Sequence, residues 1–396
     1  MCIRDRYELV RFDKCPVPRI WNILNRHGLR SVVVNVPIVF PVEPINGAMI
    51  AGMFAPTNEF NEKTVFPSDI AVLLERVNYV IDIEASELKH KSTREAYDVM
   101  ARIVQARTEA FKLLMEHFNA NLGVLVYTET DRVQHVFWYD RELVLRTYEL
   151  IDEQLDELSN YFDSPMIIMS DHGFRGVKKG VIGNLLLHEL GYLKFKDNYY
   201  KALLRGILRK LKGHSPTIEY EVVDWDKTIA YFRRDTWGFI INLAGRQPNG
   251  IVSQEEYEKT LNKLTAVLGS TDLFKYLYKN SNLYRGSYVS RAPDIIAIPQ
   301  QNIKLLNFNE AVQLIRPSKM FERIKVMKDI IENKDPVIAF DKEIGEHSLE
   351  GIVGVCGSSF IKQPRIYDIA PSILSFFGIK VPNYMDGEPI LNIDED

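Results

Sequence analysis

The chain has 396 residues, long enough for one large α/β domain or for two domains. Hydrophobic residues make up 46% and charged residues 26%, with a formal net charge of -4; this is an ordinary globular composition, and no basic excess argues for a nucleic-acid partner. The three cysteines, Cys2, Cys15 and Cys356, are too scattered for a disulfide framework, so a reducing cytoplasm is the simplest setting, and no run approaches the roughly 18 apolar residues that would span a bilayer.

The elements follow in chain order. Residues 20–26 read as a helix closed by His27-Gly28, and the β-branched run 31–36 reads as a buried strand. Pro37, Pro41 and Pro44 then impose a loop. Residues 95–120 form an amphipathic helix, with Val99, Ile103, Ala106, Ala110, Leu113 and Leu114 on its apolar face and Thr93 as its N-cap. A strand at 123–127, a helix over 133–160 and a third strand at 166–169 come next. Residues 201–212 are basic and amphipathic, a pattern that suits a solvated cap helix with snorkelling lysines. Mixed strand character over 220–242 precedes a helix at 254–268. A strand at 295–298, helix over 308–333, a strand at 351–355 and a helix at 366–377 complete the chain. The alternation argues an α/β fold, a mainly parallel sheet sandwiched by helices. We expect a core of 1–194 and 291–396, with 195–290 inserted as a cap region.

Three clusters carry chemistry. In the first, Asp131 and His135 are four residues apart just beyond a strand, which places them on one helix face where they can share a metal ion. The plain alternative is a helix cap and an ordinary surface histidine. In the second, Asp171 and His172 follow an apolar strand directly and precede Gly173, whose freedom would permit a sharp turn. Two ionisable side chains at the mouth of a buried strand are costly unless they coordinate or pair. The third is His347, in a Gly-Glu-His-Ser stretch before the last strand. Each cluster is weak alone. Together they set three Asp/His elements against three strands expected to belong to one sheet, and ligands collect at the carboxyl ends of such strands. Imidazole and carboxylate donors suit zinc, manganese or iron.

The order Asp-x-x-x-His, Ser-Asp-His-Gly, then a late Gly-x-His before Gly-Ile-Val resembles the alkaline-phosphatase superfamily, and most closely its type I phosphodiesterase/nucleotide pyrophosphatase branch. Val223-Asp224-Trp225, Gly245-Arg246-Gln247-Pro248 and Tyr367-Asp368-Ile369-Ala370 add to the likeness, which runs from about residue 7 to the end. The resemblance implies that Asp131, His135 and His347 bind one metal and that Asp171 and His172 bind a second. It implies two divalent ions, zinc or manganese, and in-line displacement on a phosphate ester or nucleotide-type substrate. In that family a Ser or Thr nucleophile and a further Asp precede the region matched by Tyr7-Glu8-Leu9-Val10, so the nucleophile is expected upstream of Met1 and the chain is expected to be a fragment. Thr57, Asp13 and Cys15 are the internal candidates to replace it, without strand-then-helix context. Arg246 either reaches substrate phosphate or stabilises its turn. Cys356 is expected as a small buried hydrophobe. Phosphotransfer of the phosphoglycerate-mutase kind, sulfate-ester cleavage on the same fold and a non-catalytic metal-binding domain are the competing readings.

Overall fold

The computed structural model describes residues 14–83, 85–199, 201, 221–314 and 320–392. The start of the chain, including Asp13, and the basic stretch 202–212 lie outside the described residues. The fold is α/β, and the chain divides into two compact units. Of the described residues, one unit comprises those up to Arg175 together with those from Gly345 onward, and the other those from Gly176 to Ile344.

The first unit is organised by a four-stranded sheet. Strand Ser31–Val36 lies inside it, pairing in parallel with Gly47–Ala51 on one side and Leu122–Leu125 on the other. Its Val32, Val33 and Val34 are completely buried, which is why this run is β-branched and uncharged. Val65–Phe66 adds a short antiparallel edge. Helix Thr93–Phe118 packs on the sheet through Ala110, Phe111 and Leu114. Its N-cap is Ser92, one residue before the expected Thr93: Ser92 accepts from the Glu95 amide and Glu95 reaches back to the Ser92 amide. The helix expected over 133–160 is two helices, Glu129–Phe137 and Arg141–Tyr161. Asp140 sits in the break and caps the second by accepting from the Leu143 amide.

Met166–Met169 pairs antiparallel with Val353–Cys356 in a separate two-stranded ladder. The three Asp/His clusters therefore do not border one parallel sheet. An apolar run of four residues marks a strand but specifies neither its partner nor its direction. At the end of this ladder Cys356 is exposed, not buried.

The second unit holds an antiparallel sheet in the order Ala230–Arg233, Gly238–Ile241, Ile295–Pro299, Phe274–Lys279. Helix Gln254–Gly269 covers it with Leu261, Leu264 and Leu268. Strands Gly173–Ile182 and Val337–Ser348 each contribute residues to both units. Continuous strands carry no Gly/Pro linker to mark such a boundary. Among the described residues no helix is long and apolar enough to cross a membrane.

Candidate metal centre

Helix Glu129–Phe137 begins four residues after strand Leu122–Leu125 and presents Asp131 and His135 on one face. The His135 Nε2 is 3.2 Å from Asp131 Oδ1. His347 comes from the end of strand Val337–Ser348, and its Nε2 lies 2.8 Å from His135 Nε2 and 3.2 Å from Asp131 Oδ1. Gly345 permits this approach: a Cβ there would sit 2.3 Å from the Gln134 carbonyl oxygen. Two imidazole nitrogens and one carboxylate oxygen thus fall within 4.8 Å of one another. Donors bound tetrahedrally at zinc-like bond lengths would be about 3.3 Å apart, so the set fits a divalent ion with slight opening.

Asp171 and His172 lie beside this group. His172 Nε2 is 3.6 Å from Asp171 Oδ1 and 3.9 Å from Asp131 Oδ1. Its ring stacks on that of His347 at 3.7 Å between centroids. His172 Nδ1 is 3.2 Å from the Gly173 carbonyl, an arrangement that places the proton on Nδ1 and leaves the Nε2 lone pair open. Asp171 is largely exposed, with 75% of its side chain accessible, and it is the least enclosed of the five. Gly173 is needed for close approach, not for a sharp turn: it opens a strand, and a Cβ on it would meet the Glu350 carbonyl oxygen at 2.1 Å. All five residues expected as ligands are brought into one neighbourhood.

Phe174 walls the cluster. Its ring meets His135 and His347 edge-on at 4.9 and 5.1 Å and stacks on Trp138 at 6.2 Å. The electrostatics suit cation binding. Burial pushes the Asp131 carboxyl up, but the hydrogen bonds and charges of His135 and His347 outweigh it and hold the group well below the usual carboxylate range.

Sequence reasoning missed the charges behind the site. Arg107 is fully buried on helix Thr93–Phe118 and pairs with Glu129, the first residue of the helix that carries Asp131 and His135. Its position, four after the apolar Ile103, puts a charge on the buried stripe, and that was the signal available. Arg132 pairs with Asp82, at 2.9 Å and 3.0 Å to its two oxygens.

Nearby hydroxyls are engaged with backbone. Ser170 Oγ accepts from the Ile352 amide at 2.8 Å, and Ser348 donates to the Glu350 carbonyl at 3.2 Å. Thr57 accepts from the Glu59 amide, and the Cys15 thiol is exposed against the Val17 carbonyl. Arg246, in the other unit, has its two Nη atoms on Asp294 at 2.8 and 2.6 Å and donates to the Ile241 carbonyl at 2.7 Å. Asp294 also accepts from the Tyr257 hydroxyl at 2.6 Å and the Ile241 amide at 2.6 Å. Both Nη atoms of Arg246 are thus engaged within its own turn and with the Asp294 carboxylate.

A family model for type I phosphodiesterase / nucleotide pyrophosphatase matches residues 6–312. The chain belongs to that family. Asp131, His135, Asp171 and His172 fall within the matched stretch of this phosphodiesterase family, and His347 follows it. Curated proteins provide no match. Among solved structures the chain is similar to phosphonoacetate hydrolase from Sinorhizobium meliloti 1021, in its complexes with phosphonoformate (13% identity, TM-score 0.43) and with phosphonoacetate (14% identity, TM-score 0.39). Each alignment covers 73% of this chain, and the chain spans 60% of the length of those structures.

Proposed function

We propose that this chain carries the metal-binding core of a hydrolase that cleaves phosphate esters of the phosphodiester or nucleotide-pyrophosphate type. The observation that carries the reading is the convergence of Asp131, His135 and His347 within 4.8 Å in a member of this family. These three would hold one divalent ion, zinc or manganese, and Asp171 with His172 would offer donors to a second. Such ions, when bound, supply Lewis-acid neutralisation of the phosphoryl oxygens and activation of an oxygen nucleophile.

The chain's own residues prepare that chemistry. Asp131 stays ionised because two imidazoles face it, so a negative charge is fixed where a cation and then a phosphate must meet. The Gly173 carbonyl orients His172. Phe174 sets an apolar ring edge-on against His135 and His347 and is itself backed by Trp138, which limits how those imidazoles can turn. Ser170 and Ser348 are occupied by backbone partners.

Calorimetric titration with Zn²⁺ tests the site: one tight and one weaker site are expected, and no binding or two equally tight sites would overturn the assignment. Assays of bis-p-nitrophenyl phosphate, p-nitrophenyl phosphate and p-nitrophenyl sulfate with Zn²⁺ or Mn²⁺ test the reaction class. Phosphate-ester turnover that survives both His347→Ala and Asp171→Ala would sink the proposal.

A further inference from the structure

The helix that bears Asp131 and His135 is gripped by one fully buried and one half-buried charge pair. Glu129, the first residue of that helix, is 1% exposed and meets the Arg107 guanidinium, which is 0% exposed. Arg107 Nη1 also donates to Thr128 Oγ1 at 3.2 Å, and Nη2 donates to the Ile81 carbonyl at 3.1 Å. The next residue along, Asp82, receives Arg132 Nη2 from the same helix at 2.9 and 3.0 Å. Asp82 is itself anchored, accepting from the Phe54 and Ile83 amides at 3.2 and 2.9 Å. The circuit therefore runs from Arg107 to Glu129, along the helix to Arg132, across to Asp82 and back through the Ile81 carbonyl. It closes around the first turn of a nine-residue helix.

The angular arrangement gives the circuit a purpose. At 3.6 residues per turn, the face bearing Glu129 and Arg132 is roughly 110° around the helix from the face bearing Asp131 and His135. The grip thus leaves the ligand face open while fixing the helix against rotation. A rotation of ~10° would carry an imidazole nitrogen some 6 Å from the axis through about 1 Å. Metal–ligand bonds tolerate only about 0.2 Å. A fully buried arginine is costly unless paired, and here its partners are the residue that opens the ligand helix and the residue just before it.

From this we infer that Arg107 is a positioning residue for metal binding: with Glu129, Asp82 and Arg132 it fixes the rotation of helix Glu129–Phe137, so that Asp131 and His135 meet His347. The inference rests on the metal-binding reading above and goes beyond it by assigning a role to charges that contact no ligand atom.

The test measures Zn²⁺ affinity of the whole chain by competition with a chromogenic chelator, below any unfolding temperature. Arg107→Met is expected to weaken binding by about 10-fold, the low end of what losing a direct partner of a metal ligand costs, and Arg107→Lys to restore part of it. Should Arg107→Met fail to fold, Arg132→Met, at a position 12% exposed on the helix rim, tests the same grip. Leu264→Ala, in the core of the other unit, serves as the control, lowering stability without changing affinity. Wild-type affinity in Arg132→Met and in the folded Arg107 variants, or an equal loss in Leu264→Ala, would overturn the inference while leaving the metal site standing. A wild-type chain that binds no Zn²⁺ would overturn both.

Discussion

Arg107 and Arg246 are each set against a buried carboxylate, one in each compact unit. In the second unit the arrangement is self-contained: Asp294 is 0% exposed, and Arg246, Tyr257 and the Ile241 amide together satisfy it. In the first unit the pair leads outward, because Glu129 begins the helix on which two of the five clustered Asp and His residues sit. The same chemistry, a guanidinium on a carboxylate, ties a turn to a strand in one place and orients a ligand-bearing helix in the other. What separates them is the element to which the carboxylate belongs.

The comparison breaks most sharply at the ligands. His347→Ala or Asp131→Ala should reduce Zn²⁺ affinity by about a thousandfold or more, since each removes one of three donors, whereas Arg246→Met should leave it unchanged in a calorimetric titration. An Arg246 variant that lost metal affinity would erase the distinction. Next in size is Asp294→Ala, which strands a mostly buried guanidinium and should cost about 3–5 kcal/mol in urea unfolding, again with metal affinity intact in the fraction that stays folded. Alkaline pH probes both units, since burial and the neighbouring Asp294 also push Tyr257 up in the second. Burial pushes Tyr79 and Tyr127 up to about 12 from the ordinary 10. A pKa raised by folding contributes stability below the unfolded value and loses it as pH climbs through the folded one, so stability should fall between pH 10 and 12, by up to about 3 kcal/mol per group. Urea midpoints at pH 8, 10 and 11.5 check this; a flat profile would contradict it. The smallest effects come from two matching capping boxes, Ser92 with Glu95 and Ser253 with Glu256. Ser92→Ala and Ser253→Ala should each cost about 1 kcal/mol, but only Ser92→Ala, which frays the helix carrying Arg107, should also lower Zn²⁺ affinity.

Much of this was legible in the sequence because it rests on local patterns. The i, i+4 spacing of Asp131 and His135 required only a helix, and the Val32–Val34 run required only a buried strand. The direction of Met166–Met169 was not legible: its antiparallel pairing with Val353–Cys356 depends on a partner nearly two hundred residues away. The break at Asp140 was missed because apolar periodicity continues on either side of it. Arg107 was passed over because one charge on an apolar stripe has no meaning until its partner is known. The pairing of Arg246 with Asp294 is hidden for the same reason: an arginine in a glycine turn shows no partner until the strand beneath it is placed.

The separation of the donors along the chain has a consequence for biosynthesis. His135 and His347, whose rings meet at 2.8 Å, are 212 residues apart. At about 5–20 residues per second, a ribosome needs roughly 10–40 s to make the intervening chain. Through that interval the nascent polypeptide carries Asp131 and His135, and later Asp171 and His172, without their last companion. The proposed three-donor set can close only once His347 has been made, so its completion follows the synthesis of strand Val337–Ser348 and not the folding of the helix that bears the first two donors.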